Sequence, residues 1–326
     1  MAETFTWHDG ERTIRFGRGT VATAEELLGT GYTLLTTPRA EDTAPHVVAN
    51  AAAVHHVRPG RVDEIAAELR GTAQGNLLVA LGGGRVIDVT KALAAAAGPP
   101  TKAAAIPTTL SAAEMSRGHR HASGVDPKTP NVRPAIVIND PDLSASQPPA
   151  ELAASAANSL AHAVEGAVTT NASPVPVLAA REAVRLTEAA YANDPENEEP
   201  DEDARAKLAL AALLSGYTID QAGLALHHVL CQTLVRLAGA AHGPANAAML
   251  PHTIPALMRR NPDTIDATEL ARELARRSGA ERLRDIGVHE DRLEACVDAA
   301  AQRPQLKLTP PPATADEIRA LYREAW

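Results

Sequence analysis

Cysteine is nearly absent from this chain: Cys231 and Cys296 are the only two in 326 residues. Two cysteines build neither a disulfide framework nor a cysteine-based zinc site, and they suit a reducing compartment, so the cytoplasm is the expected location. Aromatic residues are also scarce, at 2% of the sequence. The core must therefore be built from alanine, leucine, valine and isoleucine, and the alanine favours helices. Positive charge falls short of negative, 31 Lys+Arg against 40 Asp+Glu, for a net charge of -9. That balance argues against nucleic acid and against an anionic membrane surface as partners, and plain solubility accounts for it. No run of about 18 apolar residues offers a membrane span. The opening Met1-Ala2-Glu3-Thr4-Phe5-Thr6-Trp7 has no basic region leading into an apolar one, so no signal peptide is expected. No repeat of fixed period is present. What the chain does have is length and apolar content, 326 residues at 45% hydrophobic, enough for two domains with a core each.

The expected division is an α/β domain over residues 1–147, with a parallel sheet, and an all-α domain over residues 148–326. The first part alternates short β-like runs with helical ones. Thr13-Ile14-Arg15-Phe16, Tyr32-Thr33-Leu34-Leu35-Thr36-Thr37, Val54-His55-His56-Val57, Leu77 to Leu81, Ala103-Ala104-Ala105-Ile106 and Ala135-Ile136-Val137-Ile138 read as strands, and residues 62–69 have helical spacing. Strands alternating with helices imply a parallel sheet covered on both faces. After Ser146-Gln147-Pro148-Pro149 the texture changes to long Ala/Leu-rich runs at 151–168, 174–191, 203–238 and 246–258, which read as helices. The Pro-broken acidic stretch from Asp194 to Asp203 reads as a solvated loop. Residues 303–313 form a Pro-rich connector, and Thr314, with Glu317 three residues on, reads as the N-cap of a last helix.

One junction is more informative than the rest. The apolar run Leu77-Leu78-Val79-Ala80-Leu81 stops at Gly82, Gly83 and Gly84, and a helical pattern starts at once with Arg85. Strand, glycine turn and helix N-terminus make an anion site, because glycine lets the backbone approach a phosphate and the first helical N–H groups point at it. A β-branched side chain at Gly83 would stand where a pyrophosphate must pass. The same turn equally serves to pack a helix on a sheet. Thr108, Thr109 and Ser111 follow another strand, where open sheets place ligands, or simply cap a turn. Thr37 and Arg39 follow an earlier strand; Arg39 either meets a 2′-phosphate, favouring NADPH over NADH, or faces solvent. In the helical part, Asn158 and His162 lie four apart on one helix face, His228 lies four before Gln232, and His242 precedes Gly243-Pro244. Three histidines with the Asn158 carbonyl can converge on a divalent metal, or hydrogen-bond within a polar cleft.

In order, these pieces resemble the iron-containing (group III) alcohol dehydrogenase superfamily, and within it the maleylacetate reductase branch. Phe16-Gly17-Arg18-Gly19-Thr20 is similar to the opening FGxGT. Gly82-Gly83-Gly84, with Asp88 and Lys91, is similar to GGGSxxDxxK. The segment from Ile106 to Met115 is similar to PTTxxGSEMT. Asn158-Ser159-Leu160-Ala161-His162-Ala163-Val164-Glu165 resembles NAxAHAVE, Leu226-His227-His228-Val229-Leu230-Cys231-Gln232 resembles LHHxLCH, and His242-Gly243-Pro244-Ala245-Asn246-Ala247 resembles HGxANA.

The resemblance implies the dehydroquinate synthase-like architecture of iron-type alcohol dehydrogenases, hydride transfer with NADPH or NADH, a small-molecule substrate and a homodimer. Gly82, Gly83, Gly84, Arg85, Asp88, Thr108, Thr109, Thr37 and Arg39 are the expected cofactor contacts. His228, His162, His242, Lys128 and Gln232 are the expected catalytic residues, with Lys128 on the nicotinamide and substrate side. Metal-dependent members hold iron or zinc through an Asp and three His, positions that fall here on Asn158, His162, His228 and His242. With a neutral amide at the first, metal binding is expected to be weak or absent. Three departures stand out: Arg85 replaces the motif's serine, Gln232 replaces a histidine and cannot titrate near neutral pH, and Ser116-Arg117-Gly118-His119-Arg120-His121 is unusually basic. They point to a substrate other than maleylacetate itself, or to a specialised relative. The competing reading is a lyase or cyclase on the same scaffold without net redox chemistry.

Overall fold

The structure is a computed structural model that describes residues 4–192 and 200–326. Most of the acidic stretch expected as a loop lies outside the described residues. The chain divides into two compact units. Met1–Gln147 groups with Asp201–Leu213, and Pro148–Pro200 groups with Leu214–Trp326.

The first unit is built on a seven-stranded sheet. Its strands are β1 (Phe5–Asp9), β2 (Arg12–Phe16), β3 (Tyr32–Thr36), β4 (Ala51–His56), β5 (Leu77–Gly82), β6 (Lys102–Pro107) and β7 (Ile136–Asn139), in the order β1-β2-β7-β6-β5-β3-β4. Every pairing is parallel except the β1–β2 hairpin, which turns back so that Phe5 faces Phe16. Five helices accompany them: α1 (Glu25–Leu28), α2 (Pro38–Glu41), α3 (Pro45–Ala49), α4 (Val62–Leu69) and α5 (Gly84–Ala97). Side chains alternate across the pleat, so one run serves two cores. Leu78 and Ala80 of β5 pack with Ile65 of α4 and Val86, Val89 and Leu93 of α5. Val79 and Leu81 face the other way, with Leu28, Ala40 and Val47 of the short helices. Both faces are covered, as a parallel sheet requires.

The second unit is helical: α6 (Pro149–Gly166), α7 (Pro174–Tyr191), the C-terminal part of α8 (Glu202–Ala222), α9 (Leu226–Leu237), α10 (His242–Arg260), α11 (Thr268–Ser278), α12 (Leu293–Ala301) and α13 (Ala315–Ala325). From Leu152 onward α6 is buried nearly all round, which its alanines permit. The expected single helix over 203–238 is two helices bent by 98°. Gly223 turns the chain with φ of 82°, a conformation glycine adopts without steric penalty. An Ala/Leu-rich run hides such a break, because hydrophobicity continues across it. The helix expected over 246–258 also starts earlier, at His242. Thr314 does cap α13, accepting from the Glu317 N–H at 3.3 Å. Glu317 does not close the capping box; its carboxylate binds Arg260 Nη1 at 2.7 Å. Among the described residues no single helix is long and apolar enough to cross a membrane.

Candidate active site

Sheet order locates a ligand crevice in the first unit. From β5 the chain builds outward through β6 and β7 on one side, while β3 and β4 lie on the other. The order reverses between β3 and β5, and open α/β sheets bind ligands at such a switch, beyond the strands' carboxyl ends. The segments that emerge there are Thr37 to Arg39 after β3 and Gly82 to Gly84 after β5. Thr108 to Ser111 follow on the adjacent β6. The glycines bring two of these loops together. A Cβ at Gly83 would lie 2.9 Å from Thr109 Cγ2, one at Gly84 2.9 Å from Ser111 Oγ, and one at Gly82 2.8 Å from Val86 Cγ2. Thr108 N–H donates to the Gly82 carbonyl at 3.1 Å. A side chain at Gly83 therefore meets Thr109. α5 starts with no side-chain cap and no acidic residue in its first turn, and Arg85 is exposed there. Its positive end is left available to an anion.

Of the other expected site residues in this unit, Thr37 and Asp88 have local partners and Arg39 and Lys128 are exposed. Thr37 caps α2, its Oγ1 accepting from Ala40 N–H at 3.3 Å, with Pro38 at the first helical position. Arg39 is exposed one residue on. Lys128 lies exposed in a turn where its own N–H donates to Asp126 Oδ1 at 2.8 Å. Asp88 pairs with Lys91, Nζ to Oδ1 2.8 Å.

Lys91 is fully buried, and its ammonium donates to the carbonyls of Ala113, Ser116 and Gly118 at 2.9, 3.0 and 2.8 Å. Arg12, also buried, donates to the carbonyls of Glu114 and Pro134, each at 2.9 Å. Two cations thus grip the backbone that follows Ala112, which is held at φ 61°. Glu114 sits inside this grip with both carboxyl oxygens buried and without a hydrogen-bond partner. Burial pushes its pKa up from 4.5 to about 7. An unfolded chain would release that proton near 4.5, so stability falls as pH rises from there to about 7, by roughly 3 kcal/mol in all. Urea unfolding at pH 5 and pH 8 is expected to show this decline in the native protein and its loss in Glu114→Gln. Equal declines in both would remove Glu114 as the cause.

The second unit gathers histidines. His162 and His228 stack, rings 4.6 Å apart and 12° from parallel, and His227 meets His228 edge-on at 5.0 Å. His242 Nε2 lies 3.2 Å from Asn158 Oδ1. His227 has both nitrogens engaged, Nδ1 with Thr253 Oγ1 at 2.7 Å and Nε2 with Asn246 Oδ1 at 2.9 Å. His228 has one engaged, Nδ1 with Glu165 Oε2 at 2.7 Å. Its Nε2 and the Nδ1 of His162 are buried without partners. Burial drives His228 and His227 down to about 3, and burial with neighbouring histidines drives His162 well below the usual range, so all three rings are neutral. Gln232 Oε1 accepts from Arg303 Nη2 at 3.1 Å. Asn158 brings no negative charge, and among the described residues no group of three His, Cys, Asp or Glu side chains has metal-holding geometry. Glu165 was not among the expected site residues. Its place in the motif was visible, but its partners are 60 or more residues away in the chain.

Known proteins are similar to this chain in sequence and in fold. The model of the Fe-containing alcohol dehydrogenase family, C-terminal, matches residues 152–274. Maleylacetate reductase of Pseudomonas aeruginosa is 32% identical, over 92% of this chain and 91% of the relative. Maleylacetate reductase 1 of Rhodococcus opacus is 30% identical, over 97% and 90%. The crystal structure of maleylacetate reductase from Agrobacterium tumefaciens, 27% identical, superposes with a TM-score of 0.80 over 100% of this chain and 99% of that one. The chain belongs to the iron-containing alcohol dehydrogenase family of oxidoreductases, with maleylacetate reductases among its relatives.

Proposed function

We propose that the protein uses NADPH or NADH to reduce a small carbonyl or enone substrate bearing a carboxylate, in the manner of a maleylacetate reductase and without a tightly held metal. One observation carries this reading: His228 is buried and neutral, tied at Nδ1 to a carboxylate, and unpartnered at Nε2. A buried nitrogen without a partner is costly, and a substrate oxygen or its proton supplies one. The nucleotide binds at the switch between β3 and β5, its pyrophosphate at the start of α5 and its adenosine side toward Arg39. Hydride leaves the nicotinamide for the electrophilic carbon. His228 Nε2 hands on one proton, so the substrate gains two electrons and two hydrogens and the nicotinamide loses two electrons.

The test is net loss of nicotinamide absorbance against product formed, with maleylacetate and related oxo acids as substrates. One nicotinamide oxidised per product, unaffected by chelator, is expected. Product without nicotinamide oxidation would replace this reading with the lyase or cyclase one. Activity lost to chelator and restored by iron or zinc would overturn the metal-free part. Gly83→Val is expected to weaken nucleotide binding at least about tenfold by forcing the Thr109 loop away. Arg39→Ala is expected to weaken NADPH more than NADH; equal effects would remove Arg39 as a 2′-phosphate contact.

A further inference from the structure

We propose that Arg303 and Gln232 form a seat for a carboxylate of the substrate, one helical turn along α9 from His228. Gln232 stands where the family motif has a histidine. It lies four residues after His228, so the two side chains leave one face of α9, about 5–6 Å apart at Cβ. Arg303 reaches this face from 71 residues on in the chain: its Nη2 donates to Gln232 Oε1 at 3.1 Å. Its Nε donates to Gln305 Oε1 at 3.2 Å. The short 3-10 helix that follows, Pro304–Leu308, leads back to the start of α9. A Cβ at Gly223, just before α9, would lie 3.1 Å from Leu308 Cδ1. Arg303 is thus level with Gln232 and Leu308 with the bend, and His228 lies on α9 between these two levels.

The hydrogen bonds fix which donors are offered. A guanidinium only donates, so the amide oxygen of Gln232 is the atom turned to Arg303, and its NH2 group is turned to the other side. Among the described residues that NH2 has no acceptor. Both side chains are only half-buried, so a ligand can reach them. The acceptors just named for Arg303 are uncharged amide oxygens. A carboxylate makes a stronger, charge-assisted and two-pronged pair with the same fork. Glutamine at 232 therefore does two things: its oxygen orients the guanidinium, and its NH2 adds a donor beside it. A planar cation that is always charged, next to an amide donor, selects a carboxylate over a neutral group. That this carboxylate belongs to the molecule acted on at His228 rests on the reductase reading. The substrate class that follows is an oxo or enone acid whose carboxylate and reducible group lie a few bonds apart, in keeping with one turn of helix.

Adipate, a dicarboxylate with nothing to reduce, and hexane-1,6-diol, its uncharged counterpart, probe the seat by calorimetric titration of the whole protein in saturating NADPH or NADH. Adipate is expected to bind and the diol not to. Arg303→Met is expected to lower adipate affinity about 30-fold, the loss of charge-assisted hydrogen bonds, with nucleotide affinity within about threefold of native. Arg303→Lys recovers part of the loss. Gln232→Glu is isosteric and hands Arg303 a carboxylate of the protein's own, so it is expected to lower adipate affinity about as much; it reads the seat if Arg303→Met fails to fold. Adipate bound no better than the diol overturns the proposal. Adipate bound equally well by native protein and by a folded Arg303→Met, or by Gln232→Glu, overturns it too. The titration involves no turnover, so the two readings fail separately. Arg303-dependent adipate binding without nicotinamide oxidation on any oxo acid removes the reductase reading and leaves the seat. Nicotinamide-linked reduction with adipate binding that ignores Arg303 does the reverse.

Discussion

Replacing His228 by alanine is expected to lower kcat about a thousandfold, within the 100- to 10,000-fold span of a lost general acid or base. In barrier terms that is about 4 kcal/mol. Nucleotide affinity is expected to stay near its native value, since the glycine loop and the Thr108–Thr109 segment belong to the other unit. The informative companion is His227→Ala. That ring is one residue away and equally buried, but both its nitrogens are already bonded to Thr253 and Asn246. Its loss is expected to lower the urea midpoint and to leave kcat within about tenfold of native, because no atom able to exchange a proton has gone. Steady-state kinetics and urea titration on both variants check the contrast. A His228→Ala protein that folds and turns over within tenfold of native would remove His228 from the chemistry.

Lys91→Met is expected to be the most destabilising single change in the first unit, at about 4 kcal/mol. Methionine keeps the length of the stem and removes the ammonium. The carbonyls of Ala113, Ser116 and Gly118 then lose their common donor, and Asp88 loses its cation. The loop it holds already carries Ala112 in a left-handed conformation, at the position where the family motif has glycine. Ala112→Gly in the same background is expected to recover about 1 kcal/mol by relieving that strain. Denaturant midpoints of the two variants and their combination measure both effects. A Lys91→Met protein within about 1 kcal/mol of native would show that the buried ammonium does not hold this loop.

Much of the first unit was legible because its signals are local. β5 and α5 meet at three glycines, and strands such as Tyr32 to Thr36 are short apolar runs ended by proline or polar residues. The spacing over 62–69 matches α4, and the Ala/Leu run at 174–191 matches α7. β1 was not expected, because Phe5-Thr6-Trp7-His8-Asp9 is too short to show a period without its hairpin partner. α11 and α12 were missed in a stretch dense with charge, where arginine–glutamate pairs such as Arg276–Glu273 cover the amphipathic pattern. At the histidine site the residue types were legible and their division of labour was not. Which ring keeps a nitrogen without a partner depends on Thr253, Asn246 and Glu165, none of them near His228 in the chain. Asp88 and Lys91 stood out through the motif, and only the tertiary structure shows that they hold a neighbouring loop.

The fit between the two phosphate-side loops also constrains how this chain can change over evolutionary time. A Cβ at 83 would crowd Thr109 Cγ2 at 2.9 Å, and a Cβ at 84 would crowd Ser111 at 2.9 Å. Neither glycine is free to mutate alone, and neither partner alone makes a residue at 83 or 84 tolerable at full size. Accepted change should come as compensated exchanges: a methyl gained at 83 with Thr109 reduced to serine, or a methyl gained at 84 with Ser111 reduced to glycine. Homologous chains are then expected to covary at these two pairs, although the members of each pair lie more than two dozen positions apart in the sequence.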